Sequence, residues 1–410
     1  MILEFSIQNY RSFKEEYCFS LVADTSKSKG KNVFEQRLGN NDTIRILNSA
    51  VIYGPNASGK SNLLKAFNTL QDIVISSVSL GDTIEQYDPF LFNLTTVKAP
   101  SIFTLTFIGP SEYKYIYHIE YNSFSILEEY LDYYPKSQKR NLFKRTRNDG
   151  KIHEVKLGQD YNGRTLKVFN NQSVLTKFGT EEPEELLSHV YLYFKKELVF
   201  YKDDDSNHLD IKKQIFESRT LQKRLKHLIK IADTRISDFN FGLLIRSDND
   251  KEHQYLNQGT HTVYDGRKIV GLKDLDFEQE SKGTNVLSLL GAQILIALEK
   301  GGILLIDEID TSLHPKLAKF LVMLFQNTHA NPKNAQLIFT THETTFLDKD
   351  IFRKDQIWFV EKNEYGESEL FSVQDFDGVR EDTPFEKWYL AGKFGSLPNI
   401  QEIEFIFDNE

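Results

Sequence analysis

The 410-residue chain is poor in cysteine and has no long apolar run. Cys18 is its only cysteine, which excludes a disulfide framework and any zinc site built from several cysteines, and fits a reducing compartment. The first residues lack a basic stretch followed by a long apolar one, and no apolar run reaches the roughly 20 residues that span a bilayer. We therefore expect a cytoplasmic protein with no membrane partner.

The chain also lacks an excess of positive charge. Its 59 acidic residues outnumber 50 lysines and arginines, which gives a formal net charge of −9. Any nucleic-acid contact must therefore be confined to a local basic patch. With 40% hydrophobic residues over this length, the chain can bury a large core, and we expect two or three lobes.

Residues 54–61 read GPNASGKS, which matches the phosphate-binding P-loop pattern G-x-x-x-x-G-K-S. The apolar residues 49–53 before it predict a buried strand. Residues 62–80 after it predict a helix, whose positive N-terminus would face the bound phosphates. Lys60 would reach the outer phosphates, and the Ser61 hydroxyl would ligate Mg²⁺. The residues predicted to bind the nucleotide here are Gly54, Pro55, Asn56, Ala57, Ser58, Gly59, Lys60, Ser61 and Asn62.

A second acidic motif follows the apolar residues 303–306. Asp307 and Glu308 end this predicted strand and match a Walker B element, in which Asp307 holds Mg²⁺ through its water shell. Glu308 would orient and deprotonate the attacking water, so the pair indicates ATP hydrolysis rather than binding only. Alternatively, residues 308–310 cap the segment that starts near Pro315.

The rest of the chain suggests that an insertion divides one ATPase core. Residues 2–7 and 17–22 predict a hairpin, and residues 101–134 predict an antiparallel meander. Residues 135–163 are basic and turn-rich, residues 184–232 are mostly helical in pattern, and short strands resume at 238. We therefore expect an N-terminal ATPase lobe over 1–134, a basic loop and helical insertion over 135–237, and a C-terminal ATPase lobe over 238–410.

Further motifs give the chain a resemblance to a known group. Residues 280–284, ESKGT, precede a predicted helix at 285–299 and then Walker B, and so resemble the signature of ABC-type ATPases. Residues 5–13, 310–315 and 339–342 resemble the first strand, the D-loop and the switch histidine of the SMC, RecF and OLD branch. Together with YLAGKFG at 389–395, the motif order resembles the stand-alone AAA ATPases of prokaryotic phage-defence and abortive-infection operons.

The resemblance implies a fold and a set of roles. The fold would be α/β, a P-loop NTPase ABC-type head with a mixed sheet, an antiparallel β subdomain and a mainly helical insertion. Ser281 and Gly283 would close over a nucleotide bound to another subunit, with Asp310 at the seam. His342 would join Glu308 and Lys60 as a catalytic residue by sensing the γ-phosphate. Taken singly, His342 also fits a structural strand-end histidine, Asp310 an N-cap, and residues 281–284 a helix-start turn.

These roles imply ATP and Mg²⁺ as cofactors and a homodimer or higher homo-oligomer. Gln86 is the candidate for the glutamine that completes the metal site in such ATPases. Two basic segments make nucleic acid a further candidate partner. Their residues are Lys136, Lys139, Arg140, Lys144, Arg145, Arg147 and Lys151, and then Lys212, Arg219, Lys223, Lys226 and Lys230.

Two functions fit this sequence. The first is a sensor or scaffold in antiphage defence that controls a separate effector subunit, a nuclease or toxin, through its nucleotide state. The second is a RecF-like clamp that closes on DNA in repair or recombination when ATP is bound. A transporter ATPase fits poorly because of the insertion and the N-terminal strand.

Overall fold

The structure is a computed structural model that describes residues 1–38, 42–136, 138–181, 183–232, 235–245 and 253–397. The helices are α1 Lys60–Ile75, α2 Val174–Thr180, α3 Glu185–Lys196, α4 Asp205–Glu217, α5 Arg219–Ala232, α6 Lys282–Lys300, α7 Pro315–Gln326 and α8 Phe385–Leu390. The strands are β1 Ile2–Gln8, β2 Tyr17–Ser20, β3 Val33–Arg37, β4 Thr43–Leu47, β5 Ser49–Tyr53, β6 Ser101–Ile108, β7 Lys114–Tyr121, β8 Ile126–Tyr134, β9 Arg140–Arg145, β10 Ile152–Leu157, β11 Thr165–Phe169, β12 Leu198–Tyr201, β13 Ile236–Ile245, β14 His253–Asp265, β15 Lys268–Asp276, β16 Ile303–Ile306, β17 Gln336–Thr340, β18 Ile357–Lys362 and β19 Ser368–Ser372.

The central sheet has the order β12-β16-β17-β5-β18-β19 and is parallel except for β19. Its inner strands β5, β16 and β17 are buried along their whole length, as expected for strands covered on both faces. Since parallel strands end at the same edge, the residues that follow β5, β16 and β17 are brought together there. This edge carries the P-loop, the Walker B acids and His342.

A second, antiparallel sheet has the order β11-β10-β9-β8-β7-β6-β1-β2. It confirms the hairpin predicted near the N-terminus and the meander at 101–134. The prediction of a turn-rich loop over 135–163 is wrong, because strands β9 and β10 lie in this segment and extend the sheet. Their buried positions include Leu142, Phe143, Val155 and Leu157. The abundant charged residues between them hid this inward apolar pattern.

Helix α1 packs between the two sheets. Its residues Leu63 and Phe67 are fully buried in one core cluster with Phe5 of β1 and Ile338 of β17. The rings of Phe5 and Phe67 stack with their centroids 4.0 Å apart. The helix starts two residues earlier and ends five residues earlier than the sequence predicted. This packing fixes the start of α1, and therefore the P-loop, relative to both sheets.

From residue 174 onward the insertion contains the helices α2 to α5, whereas its first part forms the strands β9, β10 and β11. It also supplies β12, which pairs in parallel with the Walker B strand β16. Ser218 separates α4 from α5, and α5 packs against α6. The approach is close at Gly291 of α6, where an added Cβ would lie 2.6 Å from Cδ2 of Leu228.

A third sheet, of order β13-β14-β15, leads into α6. Its strands are 10, 13 and 9 residues long, so the short strands predicted from residue 238 onward are in fact long ones. The architecture confirms the α/β fold class, with a mixed central sheet and an antiparallel β subdomain. Among the described helices, none combines the length and apolarity needed to cross a bilayer.

Candidate nucleotide site

The P-loop lies between β5 and α1, and its glycines are required by close contacts. An added Cβ at Gly54 would lie 2.2 Å from the carbonyl oxygen of Val360. Gly59 has φ 115°, and an added Cβ would lie 2.3 Å from Ser368 Oγ. Side chains are excluded at both positions, so the loop backbone stays close to β18 and β19.

Lys60 is buried within this loop. It is 5% exposed, and its Nζ donates to the carbonyl oxygens of Gly54 and Pro55 at 2.7 and 3.0 Å. Burial lowers the pKa of Lys60, and the nearby charges of Glu308 and Asp307 oppose this shift. The Lys60 ammonium is therefore close enough to the two acids for their charges to stabilise it.

The N-terminal turn after β1 supports the P-loop helix. Asn62 Nδ2 donates to Ser12 Oγ at 2.8 Å, and Arg11 Nη1 donates to Asn62 Oδ1 at 3.3 Å. Beside Ser12, whose carbonyl oxygen accepts the backbone N–H of Ser368 at 2.7 Å, Ser368 Oγ donates to the carbonyl oxygen of Ser58 at 2.5 Å. Ser368 was not predictable as a P-loop contact, because no motif links it to a loop more than 300 residues earlier.

The end of β17 organises the Walker B acids. Thr340 Oγ1 donates to Asp307 Oδ1 at 2.6 Å and accepts the backbone N–H of Glu308 at 2.7 Å. His342 Nε2 lies 3.6 Å from Glu308 Oε1. Glu308 has φ 53°, a left-handed conformation that costs a non-glycine residue energy and is common at functional sites. One hydroxyl thus fixes both acidic residues, and His342 lies beside the second.

The D-loop residue Asp310 is tied to the same strand end. Thr341 Oγ1 donates to Asp310 Oδ1 at 2.6 Å, and Thr341 is fully buried. Asp310 itself is half-buried. Thr340 and Thr341 therefore hold the predicted Walker B and D-loop acids respectively, whereas the sequence indicated only His342 in this stretch as a functional residue.

The predicted signature forms the N-terminus of α6. Ser281 is the N-cap, and its Oγ accepts the N–H of Thr284 at 3.1 Å. An added Cβ at Gly283 would lie 3.1 Å from the carbonyl oxygen of Ser312, so this turn packs against the D-loop segment. Ser281 is exposed, and the first N–H groups of the 19-residue α6 form a positive helix end.

A cavity of about 570 Å³ adjoins the site. It is lined on the nucleotide side by Ser61, Asp307 and Glu308, and by α1, β12 and α6 elsewhere. Ser281 and Gly283 are not part of its lining. The chain therefore brings together the P-loop, the predicted Walker B acids and His342, whereas of α6 it is Val286 and Leu290, not the predicted signature residues, that line the cavity.

The remaining predicted features lie away from this edge or around it. Gln86 is held through its backbone, where its carbonyl oxygen accepts the Tyr121 hydroxyl at 3.2 Å. The motif at 389–395 packs under the P-loop strand, and Tyr389 stacks on Phe359 with centroids 5.4 Å apart. In the first basic segment Arg145 is not a surface residue, because it is buried against the carboxylate of Glu129.

Comparison with known proteins gives a family but little structural likeness. No curated protein matches the chain. A crystal structure of an SMC head bound to the C-terminal winged-helix domain of ScpA has 14% identity and a TM-score of 0.40, with coverage of 90% of this chain and 97% of that one. A structure of RecF with an ATP analogue has 12% identity and a TM-score of 0.39, with coverage of 90% of this chain and 98% of that one. A structure of RecF with ATP has 11% identity and a TM-score of 0.39, with coverage of 90% of this chain and 99% of that one.

A family model spans well over half of the chain and includes the P-loop and the residues predicted as signature, Walker B acids and switch histidine. It matches residues 49–348. The chain belongs to the family described as "AAA domain, putative AbiEii toxin, Type IV TA system".

Proposed function

We propose that this protein binds and hydrolyses ATP at the edge where β5, β16 and β17 end. The observation that carries the proposal is the Thr340 hydroxyl, which holds Asp307 and orders the backbone of Glu308. Entering phosphates would replace the Gly54 and Pro55 carbonyls as partners of Lys60. That exchange gives a buried cation a charged partner, which favours binding.

The residues present fit a Mg²⁺ ion bound with the nucleotide. Ser61 and Asp307 line the same cavity and offer a hydroxyl and a carboxylate, the oxygen ligands that Mg²⁺ prefers. The ion would supply positive charge to the phosphate oxygens. Thr340 keeps one oxygen of Asp307 occupied, so the other carboxylate oxygen remains for the metal or its water shell.

Glu308 is the proposed general base, and His342 the residue that responds to the γ-phosphate. The side chain of Glu308 is 51% exposed, so it can accept a proton from a water at the mouth of the site. His342 lies close enough to interact with the Glu308 carboxylate. The loss of the phosphate would therefore change the contacts of both Glu308 and His342.

We further propose that two chains share each site. Ser281 and Lys282 at the start of α6 are exposed, and neither lines the cavity of its own chain. A helix N-terminus binds anions through its free N–H groups, so this end suits a phosphate held by another subunit. The Gly283 turn packs against the D-loop segment, which connects such a contact to Asp310.

The biological role that we propose is a sensor or scaffold in antiphage defence that controls a separate toxic effector. The family description, which refers to toxins and a toxin–antitoxin system, supports this setting. ATP binding would close the dimer and hydrolysis would open it, so that the effector is held in one state and released in the other.

The decisive experiment is ATP turnover per protomer over a wide range of protein concentration, with Lys60→Ala as the inactive control. Specific activity that rises with concentration supports sites shared between chains. Constant activity of a protein shown to be monomeric would refute sharing. Co-purification of a protein encoded by a neighbouring gene supports the scaffold role.

A DNA clamp is the second candidate, favoured by helix α5. Its sequence RTLQKRLKHLIKIA contains no acidic residue, and Arg219, Lys223 and Lys230 are exposed. Two other cations of this helix are paired, Arg224 with Glu299 and Lys226 with Asp238. Turnover stimulated by double-stranded DNA, and lost with salt, would favour the clamp over the scaffold.

A further inference from the structure

The segment leading into the signature is fixed by a contact across the third sheet. His261, on the middle strand β14, places Nε2 2.5 Å from Oε1 of Glu280. Glu280 directly precedes Ser281, and its side chain is only 8% exposed. An ionised carboxylate only accepts hydrogen bonds, so the ring N–H of His261 is the donor. His261, 20 positions upstream of Ser281, thus holds Glu280, the residue directly before Ser281, in place.

Gly259, two residues before His261, makes room for this carboxylate. An added Cβ at Gly259 would lie 2.7 Å from Glu280 Oε1 and 3.5 Å from His261 Nε2. Alternate residues of a strand face the same side, so Gly259 and His261 together form the surface on which Glu280 rests. A second hydrogen bond, from Gln258 Nε2 to Asp276 Oδ1 at 2.8 Å, holds the start of the segment that connects β15 to α6.

We propose that His261 and Gly259 are positioning residues for the signature, and the inference rests on the proposed shared site. Ser281 caps α6, and the helix dipole acts only over the first turn. A shift of Glu280 therefore moves both the Ser281 hydroxyl and the N–H groups that would meet the partner's phosphate. The P-loop of the same chain lies elsewhere and keeps its own supports.

The test uses His261→Ala and Gly259→Ala, with Thr260→Val as matched control. Thr260 lies between the two but faces the other side of the sheet, where its Oγ1 donates to Asp274 at 2.6 Å. Both test variants should lower kcat by about a hundredfold, as expected for a misplaced catalytic group. The affinity for a non-hydrolysable ATP analogue should stay within about twofold of the wild-type value, because this affinity depends mainly on the P-loop. His261→Gln, which restores an N–H donor, should recover activity, and Thr260→Val should remain active.

Mixed subunits separate a positioning role from general damage. His261→Ala has an intact P-loop, and Lys60→Ala an intact signature, so mixing them should restore activity through one complete composite site per dimer. Lys60→Ala mixed with Ser281→Arg is the reference pair, which tests whether two chains share a nucleotide site at all. If only the reference pair complements, or if His261→Ala is as active as Thr260→Val, the proposal for His261 is wrong while the shared site stands. If neither pair complements and wild type is active, the shared site is wrong.

Discussion

Thr340→Val should separate nucleotide binding from hydrolysis. The hydroxyl of Thr340 makes two bonds, to Asp307 at 2.6 Å and from the N–H of Glu308 at 2.7 Å, and the residue is fully buried. Valine has nearly the same shape, so the core around β17 should stay packed. What is lost is the group that fixes the carboxylate for the metal and the backbone of the proposed base.

These contacts set the expected size of two effects of Thr340→Val, the loss of stability and the loss of turnover. A lost hydrogen bond costs about 1 kcal/mol, and because Asp307 and Glu308 are exposed, water can partly replace the hydroxyl. We therefore expect a loss of about 1–2 kcal/mol in the free energy of unfolding. A displacement of the base by about 1 Å should lower kcat by about a hundredfold. ATP affinity, set mainly by the P-loop, should change little.

The assay is steady-state phosphate release, together with ATP binding and thermal unfolding, on three variants. Thr340→Ser keeps the hydroxyl and should stay active. Thr176→Val is the control for stability, since Thr176 is also fully buried and its Oγ1 donates to the carbonyl oxygen of Val74, at the end of α1 away from the P-loop. If Thr340→Val turns over ATP at the wild-type rate, Thr340 does not organise the catalytic acids and this interpretation of the network is refuted.

Three other substitutions test the site. Lys60→Ala should abolish ATP binding in equilibrium titrations, because the phosphates lose their buried cation; unchanged affinity would contradict the P-loop assignment. Glu308→Gln should bind ATP normally but slow hydrolysis by about a hundredfold or more, and it should accumulate closed dimers in gel filtration with ATP. Normal turnover would mean that another group is the base. Gly59→Ala should prevent ATP binding in the same titration, since its Cβ would lie 2.3 Å from Ser368 Oγ; tight binding would show that the loop can shift.

Several features were predictable because the sequence encodes them locally. A complete P-loop between an apolar run and a helix has few other interpretations, and the fully buried strand β5 and the helix α1 that follows the loop agree with it. The acidic pair after β16 is equally direct. The strands at 140–157 were not predicted, because charged side chains on the exposed face are as numerous as the inward apolar residues and give the segment the composition of a loop.

The sequence by itself determined the chemistry of this protein: a phosphate loop, two acids and a histidine, each at the end of an apolar run. Parallel pairing of β5, β16 and β17 then decided that these ends meet at one edge. Only the tertiary structure showed which residues hold them there. Ser368 under the P-loop, Thr340 between the acids and His261 behind the signature all act across long sequence separations. Such hydrogen bonds depend on distance and angle in space, which no local pattern records.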